Sequence, residues 1–304
     1  MRILITGGSG FLGRALSGAL LRQGAAPTWL SREPRTVVAP AGVEVRGYDG
    51  LHASDCFDVV VNLAGAGIAD GRWSDARKQV LFDSRLEPTR SVVDWIRRAR
   101  TRPRLLLSGS AVGWYGRQPA DRELVEDSAP HPEFVHALCA HWERAALEAV
   151  TLDVPVVLLR TGVVLDPTGG MLRRLLPVFR LGAGGRLGSG EQVLSWISRE
   201  DWVRAVLELL DQQTGRPALA GPVNLTAPAP VSNHEFTRIL ARAVRRPAWA
   251  TVPAGVLRLA LGEMSTLLLD GQRVLPRRLL DTGFEFRHPR LDALLRPGFA
   301  RQQA

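Results

Sequence analysis

The sequence is nearly without lysine and tyrosine. Its 304 residues hold one lysine, Lys78, and two tyrosines, Tyr48 and Tyr115. Chemistry that needs a tyrosine and a lysine four apart on one helix face is excluded, wherever the helices fall. Only two cysteines occur, Cys56 and Cys139, and they form no metal-ligand spacing, so no metal site is expected. Two buried thiols in a reducing, cytoplasmic compartment is the expected reading. No apolar run is long enough to span a membrane. A strand expected from Ile3 leaves no place ahead of it for a signal or transit peptide. Low-complexity linkers and fixed-period repeats are absent too.

Basic residues outnumber acidic ones, with a formal charge of +9. They are almost all arginine and are scattered along the chain without a nucleic-acid motif. A GC-rich coding bias explains such a composition, and neither a nucleic-acid nor a membrane partner is expected.

What is present begins at once. Ile3-Leu4-Ile5-Thr6-Gly7-Gly8-Ser9-Gly10-Phe11-Leu12-Gly13 is a short apolar run, a glycine-rich turn and the start of a helical pattern over 11–21. Strand, glycine turn and helix form a dinucleotide-binding fingerprint. Gly7 permits the turn, Gly10 lets backbone approach a pyrophosphate, and Gly13 lets helix and strand pack closely. The helix N-terminus offers free N–H groups and partial positive charge. Further strands are expected at 27–30, 43–46, 59–63, 105–107 and 156–159, with helices over 85–99 and 134–150. This alternation predicts an α/β Rossmann fold, a doubly wound parallel sheet with a smaller, mostly helical C-terminal lobe.

The rhythm changes after Val164. Loops are expected at 166–170 and 182–190, and a helix at 172–179. Capping boxes at Ser198/Asp201 and Ser232/Glu235 open two more helices. A short strand is expected at 223–225. The expected division is a cofactor-binding core at 1–165, a mixed substrate lobe at 166–251 with a strand returning to the core, and a small domain at 252–304.

The residue ending the second strand separates NAD from NADP, because an acidic side chain suits a ribose hydroxyl and a basic one a 2′-phosphate. Here the chain reads Ser31-Arg32-Glu33. Ser31 and Arg32 point to NADP(H), while a one-residue shift in the strand end would present Glu33 instead. Ala64-Gly65-Ala66 after the fourth strand resembles the small-residue segment beneath the adenine side of the cofactor.

Gly71-Arg72-Trp73, Ser84-Arg85, Ser110-Ala111-Val112-Gly113-Trp114-Tyr115-Gly116, Trp142-Glu143, Arg160-Thr161-Gly162-Val163, Gly188-Ser189-Gly190, Ser195-Trp196-Ile197 and Asn224-Leu225-Thr226-Ala227-Pro228 complete the picture. Together they resemble the "epimerase family" group of atypical extended short-chain dehydrogenases/reductases, in the NAD-dependent epimerase/dehydratase superfamily. The resemblance spans essentially the whole chain. It implies NADP(H) held by Gly7, Gly10, Phe11, Leu12, Gly13, Ser31, Arg32, Ala64, Gly65, Ala66, Ser108, Arg160, Gly162 and Val163. It implies a substrate cleft near Arg72, Trp73 and Trp196. It also implies a Ser–Tyr–Lys site, and here the chain departs from the family. The catalytic helix should be 134–150. Its key positions hold Phe134 and Leu138 in one register, or Val135 and Cys139 in the other. Ser110, with Ser108 as the alternative, stands at the serine position. Tyr115 is the best remaining acid and His136 and His141 are weaker candidates; Glu143 reads first as a salt bridge or helix contact, and Lys78 as a cofactor or substrate contact from the loop after the fourth strand.

Two functions therefore stand open. One is an oxidoreductase or sugar-nucleotide-type epimerase with a non-standard proton donor. The other is a non-catalytic NADPH-binding sensor or assembly factor. A small-molecule substrate and a monomer or homodimer are expected; Arg97, Arg98 and Arg100 charge the end of one helix through which relatives dimerise.

Overall fold

The computed structural model describes residues 1–211 and 219–296. β1 (Arg2–Thr6), α1 (Phe11–Arg22), β2 (Ala26–Leu30), β3 (Glu44–Arg46) and β4 (Val59–Asn62) follow one another from the N-terminus. α2 (Asp75–Arg98), β5 (Leu105–Ala111), the short β6 (Glu123–Leu124), α3 (Phe134–Leu147) and β7 (Val156–Thr161) come next. The second part holds β8 (Val163–Asp166), α4 (Gly170–Arg180), β9 (Gly185–Leu187), β10 (Val193–Leu194), β11 (Trp196–Ser198) and α5 (Arg199–Asp211). Then come β12 (Gly221–Leu225), β13 (Val231–Ser232), α6 (Asn233–Val244), β14 (Ala250–Val252), α7 (Ala254–Leu261) and β15 (Arg273–Val274).

Seven strands form one parallel sheet in the order β12-β7-β5-β4-β1-β2-β3. Both faces are covered, which is why its central strands are almost continuously apolar. Side chains alternate between the faces. Ile3, Ile5, Val59 and Val61 meet Leu16 and Leu20 of α1 and Trp202 and Leu209 of α5. Leu4, Val60 and Leu106 meet Val92, Trp95 and Ile96 of α2 and Ala146 of α3. A separate core of Leu172, Phe179, Trp196, Phe236, Leu240 and Leu291 supports the second part.

The expected elements are present, with three differences. β5 extends to Ala111 and takes in Ser108 and Ser110, because it pairs with β7 along that whole length. α2 begins at Asp75 rather than near residue 85, capped by Ser74, whose hydroxyl accepts from the Arg77 N–H at 3.2 Å. Its polar first turns carry no apolar stripe, and the internal Pro88 reads as a boundary in sequence. The expected loop at 182–190 contains β9, which exists only because β14 pairs with it. At both expected capping boxes the serine half forms, with Asp201 N donating to Ser198 Oγ at 2.9 Å and Glu235 N to Ser232 Oγ at 3.1 Å. The expected strand at 223–225 returns to the sheet edge as β12. Residues 297–304 of the expected small domain lie outside the described residues.

Candidate cofactor crevice and active site

The strand order reverses between β1 and β4, the switch point at whose strand C-terminal ends open α/β sheets form their ligand crevice. Thr6 ties the two ends together. Its hydroxyl donates to Asn62 Oδ1 at 2.6 Å and accepts from the Leu63 and Ala64 N–H groups, each at 3.1 Å. Gly7 turns the chain at φ +67°, and a Cβ there would lie 2.6 Å from the Leu63 carbonyl oxygen. A Cβ on Gly13 would lie 2.4 Å from the Gly7 oxygen. Gly10 is different. It is the N-cap of α1 in extended backbone, its nearest neighbour for a Cβ is the Gly7 oxygen at 3.1 Å, and no side chain caps the helix. The positive end of α1 thus carries no side-chain cap. Phe11 and Leu12 are half-buried, Phe11 lying against Gly169 and under the Arg199 guanidinium.

At the end of β2, Ser31 Oγ accepts from the Glu33 N–H at 3.1 Å. Arg32 is exposed, and its guanidinium takes no part in the neighbouring ion pairs, which join Arg46 to Glu44 and Asp55. On the other side of the crevice, Ala66 N donates to Ser84 Oγ at 3.0 Å. Arg85 lies beneath this segment, donating to the carbonyls of Ala66 at 3.1 Å and Leu81 at 3.0 Å, 5.3 Å from the Trp142 ring. Burial lowers its pKa, and no carboxylate pairs with it among the described residues. Ser84-Arg85 stood out in the sequence as a landmark, but nothing there marked Arg85 as the crevice floor.

Behind this crevice the structure corrects several expectations. Ser108 is fully buried and its hydroxyl accepts from Asn62 Nδ2 at 3.2 Å, inside a polar knot with Thr89. Ser110 donates to Glu143 Oε1 at 2.6 Å. Arg160 is not free for a cofactor. It pairs with both Glu143 oxygens, donates to the Glu126 carbonyl at 3.0 Å and to the Tyr115 hydroxyl at 3.3 Å, and lies 3.5 Å from the Trp114 ring centroid. Tyr115 is fully buried and donates to Asn224 Oδ1 at 2.7 Å. Burial pushes its phenol up to about 12, against the opposing pull of Arg160. Neither Ser110 nor Tyr115 presents a free proton to a cleft. Glu143, weighed in the sequence as a helix contact, is the centre of this network.

Trp196 is likewise no cleft residue: it is fully buried and donates to the Ala229 carbonyl at 3.0 Å. Trp73 packs on Phe134 with ring centroids 4.8 Å apart and donates to the Ile68 carbonyl at 2.9 Å. Arg72 reaches the Leu259 carbonyl at 3.3 Å, and Lys78 pairs with Glu263 at 2.5 Å. Arg72 and Lys78 therefore join the loop after β4 and the first turn of α2 to the region around α7. His136 and His141 bond through Nδ1 to the carbonyls of Trp114 and Ala137, at 2.5 and 2.7 Å. Gly162 sits where a Cβ would be 2.7 Å from the Ser195 oxygen, and Val163 N donates to that oxygen at 2.8 Å. Close packing alone accounts for glycine at 162.

A family model described as the NAD dependent epimerase/dehydratase family matches residues 3–221. The chain belongs to that family. A second model, a domain of unknown function (DUF1731), matches residues 252–297. An epimerase family protein of Mycobacterium bovis is 45% identical over 293 residues, 94% of this chain and 93% of that protein. The epimerase family protein YfhF of Bacillus subtilis is 37% identical over 300 residues, covering 97% of each. The crystal structure of human epimerase family protein SDR39U1 (isoform 2) with NADPH has a TM-score of 0.88 and 32% identity, and the match covers 99% of each chain.

On α3, where the family resemblance implies a tyrosine and a lysine, the chain carries neither. Val135 and Cys139, one of the two pairs at the tyrosine and lysine positions, are both buried. Burial, reinforced by the neighbouring Glu143 carboxylate, pushes the Cys139 thiol up to about 12, so it is not a nucleophile near neutral pH. Among the described residues no cluster of His, Cys, Asp and Glu suits a metal ion, and no helix is long and apolar enough to cross a membrane.

Proposed function

We propose that this epimerase-family protein binds NADP(H) in the crevice and works by its cofactor-bound state, without tyrosine–lysine chemistry. The observation that carries this reading is the closed chain Ser110–Glu143–Arg160–Tyr115–Asn224. The two leading candidates, Ser110 and Tyr115, are already bonded to other residues of the protein. This favours a sensor or assembly role over an oxidoreductase or sugar-nucleotide epimerase.

The fit to a dinucleotide is supported by the tight glycine turn at Gly7 and the uncapped N-terminus of α1. Gly7, Gly10 and Gly13 would hold the pyrophosphate, Ser31 and Arg32 the 2′-phosphate, and Ala64-Gly65-Ala66 the adenine side. The human relative crystallised with NADPH supports the same choice. A bound nicotinamide cofactor supplies two-electron redox chemistry; the residues of this chain bind it, orient it and keep water from the buried network. The crevice segment at 64–66 continues into Arg72 and Lys78, which grip the region around α7. Cofactor binding would thereby brace the C-terminal region against the core. At a hundredfold excess over Kd, it would stabilise the native state by about 2.7 kcal/mol.

Calorimetric titration with NADPH, thermal melting and a turnover panel test this. Binding with a raised melting temperature, and no NADPH oxidation with aldehydes, quinones or keto-sugars, is expected. Turnover that falls by about 10²-fold or more in Tyr115→Phe would restore the enzymatic reading.

A further inference from the structure

The loop at 31–43, which carries Ser31 and Arg32, is fastened to the glycine turn by a side chain of α1. Arg14, the fourth residue of that helix, donates from Nε to the Ser9 carbonyl at 2.9 Å and from Nη2 to the Val38 carbonyl at 3.0 Å. One guanidinium thus bridges the turn and the loop. It also lies 5.4 Å from the Trp29 ring. Trp29 is buried near the end of β2, where it donates to Ser17 Oγ at 2.8 Å and leaves no room for a side chain at Gly8, whose Cβ would lie 2.3 Å from the indole.

Helix formation does not account for a cation at this position. The first turn of a helix is the positive end of its dipole, so arginine there is unfavourable. No acidic residue in the first turn of α1 compensates for it. The two carbonyls give the reason, because a planar guanidinium holds two acceptors in a fixed fork.

The rest of the loop is arranged to the same end. Ser31 N donates to the Arg46 carbonyl at 2.9 Å and fixes the start of the loop. Thr36 closes a turn on Glu33, with its N–H on the Glu33 carbonyl at 3.2 Å and its hydroxyl at 3.3 Å from Glu33 Oε2. The acidic side chain that a one-residue shift would have presented to a ribose is thus engaged inside its own turn. Val37 and Ala39 pack against the core, while Val38 between them is 79% exposed and gives its carbonyl to Arg14. Surface loops are mobile unless tied down, and this one is tied on both sides of Arg32.

We propose that Arg14 is a positioning residue for cofactor choice. By clamping the loop after β2 to the glycine turn, it presents Ser31 and Arg32 to the 2′-phosphate that distinguishes NADPH from NADH. A loop already held in its binding conformation pays less ordering entropy when the ligand arrives. This role rests on the NADP(H) reading above and adds to it a residue that does not itself touch the phosphate.

Calorimetric titration of NADPH and of NADH into full-length Arg14→Ala, Arg32→Ala and the double variant tests the assignment. The two cofactors differ only in the 2′-phosphate, so the ratio of their Kd values separates cofactor choice from a general loosening of the turn. In Arg14→Ala, NADPH should weaken by about tenfold and NADH by no more than about twofold. In the Arg32→Ala background, Arg14→Ala should leave the ratio unchanged, because nothing remains to be positioned. Without ligand, amide hydrogen exchange over residues 32–38 should be faster in Arg14→Ala by about tenfold. Arg14 is exposed, so the variant should melt close to the parent. Equal weakening of both cofactors would make Arg14 merely structural and overturn the proposal. A tenfold loss in the ratio that persists in the Arg32→Ala background would mean that Arg14 meets the phosphate itself, and unchanged exchange would mean that it clamps nothing; either overturns the positioning role. A parent protein with no preference for NADPH over NADH would instead fail the cofactor reading and take this inference with it.

Discussion

Arg160 of β7 and Glu143 of α3 hold each other through two bonds, Nε to Oε1 at 2.9 Å and Nη2 to Oε2 at 3.0 Å, with both side chains almost wholly out of water. Burial pulls the Arg160 pKa down, but its bonds to Glu143 outweigh that and the net direction is up. The pair pins the helix that would carry the family's chemistry onto the sheet. Removing one partner strands a buried charge, which costs about 3–5 kcal/mol. Glu143→Ala and Arg160→Ala should each lose that much in urea unfolding. The double variant Glu143→Leu, Arg160→Met should recover much of it, though not all, because Ser110 and Tyr115 also lose partners. Single variants as stable as the wild type would mean that the pair is solvated.

The glycines of the first turn make a second prediction, because they differ in what surrounds them. Gly10→Val needs no unusual backbone angle and meets no side chain. Its Cβ would press on the Gly7 oxygen at 3.1 Å, so it should lower the melting temperature only slightly and abolish NADPH binding. Gly13→Val forces a Cβ to 2.4 Å from the Gly7 oxygen, so it should destabilise the protein itself. Tight NADPH binding by a folded Gly10→Val protein would put the cofactor elsewhere.

Arg32 is free to contact a ligand. A charge-assisted bond to a 2′-phosphate is worth about 1.5–3 kcal/mol. Arg32→Ala should therefore weaken NADPH by about 10–100-fold and leave NADH nearly unchanged. Equal losses for the two cofactors would reduce Arg32 to adenine stacking or a structural role.

Tyr115→Phe removes a hydroxyl that donates to Asn224 and accepts from Arg160. It leaves the buried Asn224 oxygen short of a donor, at about 1–3 kcal/mol. A loss of stability without a change in NADPH affinity is the expected result.

The sheet and the glycine turn were legible because their signals are local: an apolar run, a turn, a capping box. Their pairing partners are themselves apolar runs of the same kind. At the turn the sequence reading rests on backbone geometry, and the structure packs Gly7 and Gly13 where a Cβ would meet the Leu63 and Gly7 oxygens. Arg160 and Trp196 were singled out by the family resemblance and Tyr115 as the remaining acid, and each has a polar tip whose partner no local signal reveals. What occupies that tip depends on strand order: Tyr115 and Asn224 are 109 residues apart and meet only because β12 lies beside β7. The same holds for β9, which has no strand signal until β14 supplies a partner.

Glu126 makes the last prediction, and its sign follows from burial. The carboxyl is 3% exposed; Oε1 accepts from the Asn224 and Arg278 N–H groups at 3.0 and 3.3 Å, while Oε2 is buried with no partner. Burial raises its pKa, and the backbone N–H bonds only partly offset this. A carboxyl whose pKa is higher in the folded than in the unfolded state gives stability below the ordinary carboxylate range. That stability is lost as pH rises through the folded value. Glu126→Gln keeps an acceptor for the two N–H groups and removes the charge that burial penalises. Urea unfolding should show the variant gaining on the wild type as pH rises from about 4 to about 8. A variant less stable than the wild type throughout that range would mean that ionised Glu126 is well paired, most directly by Arg278.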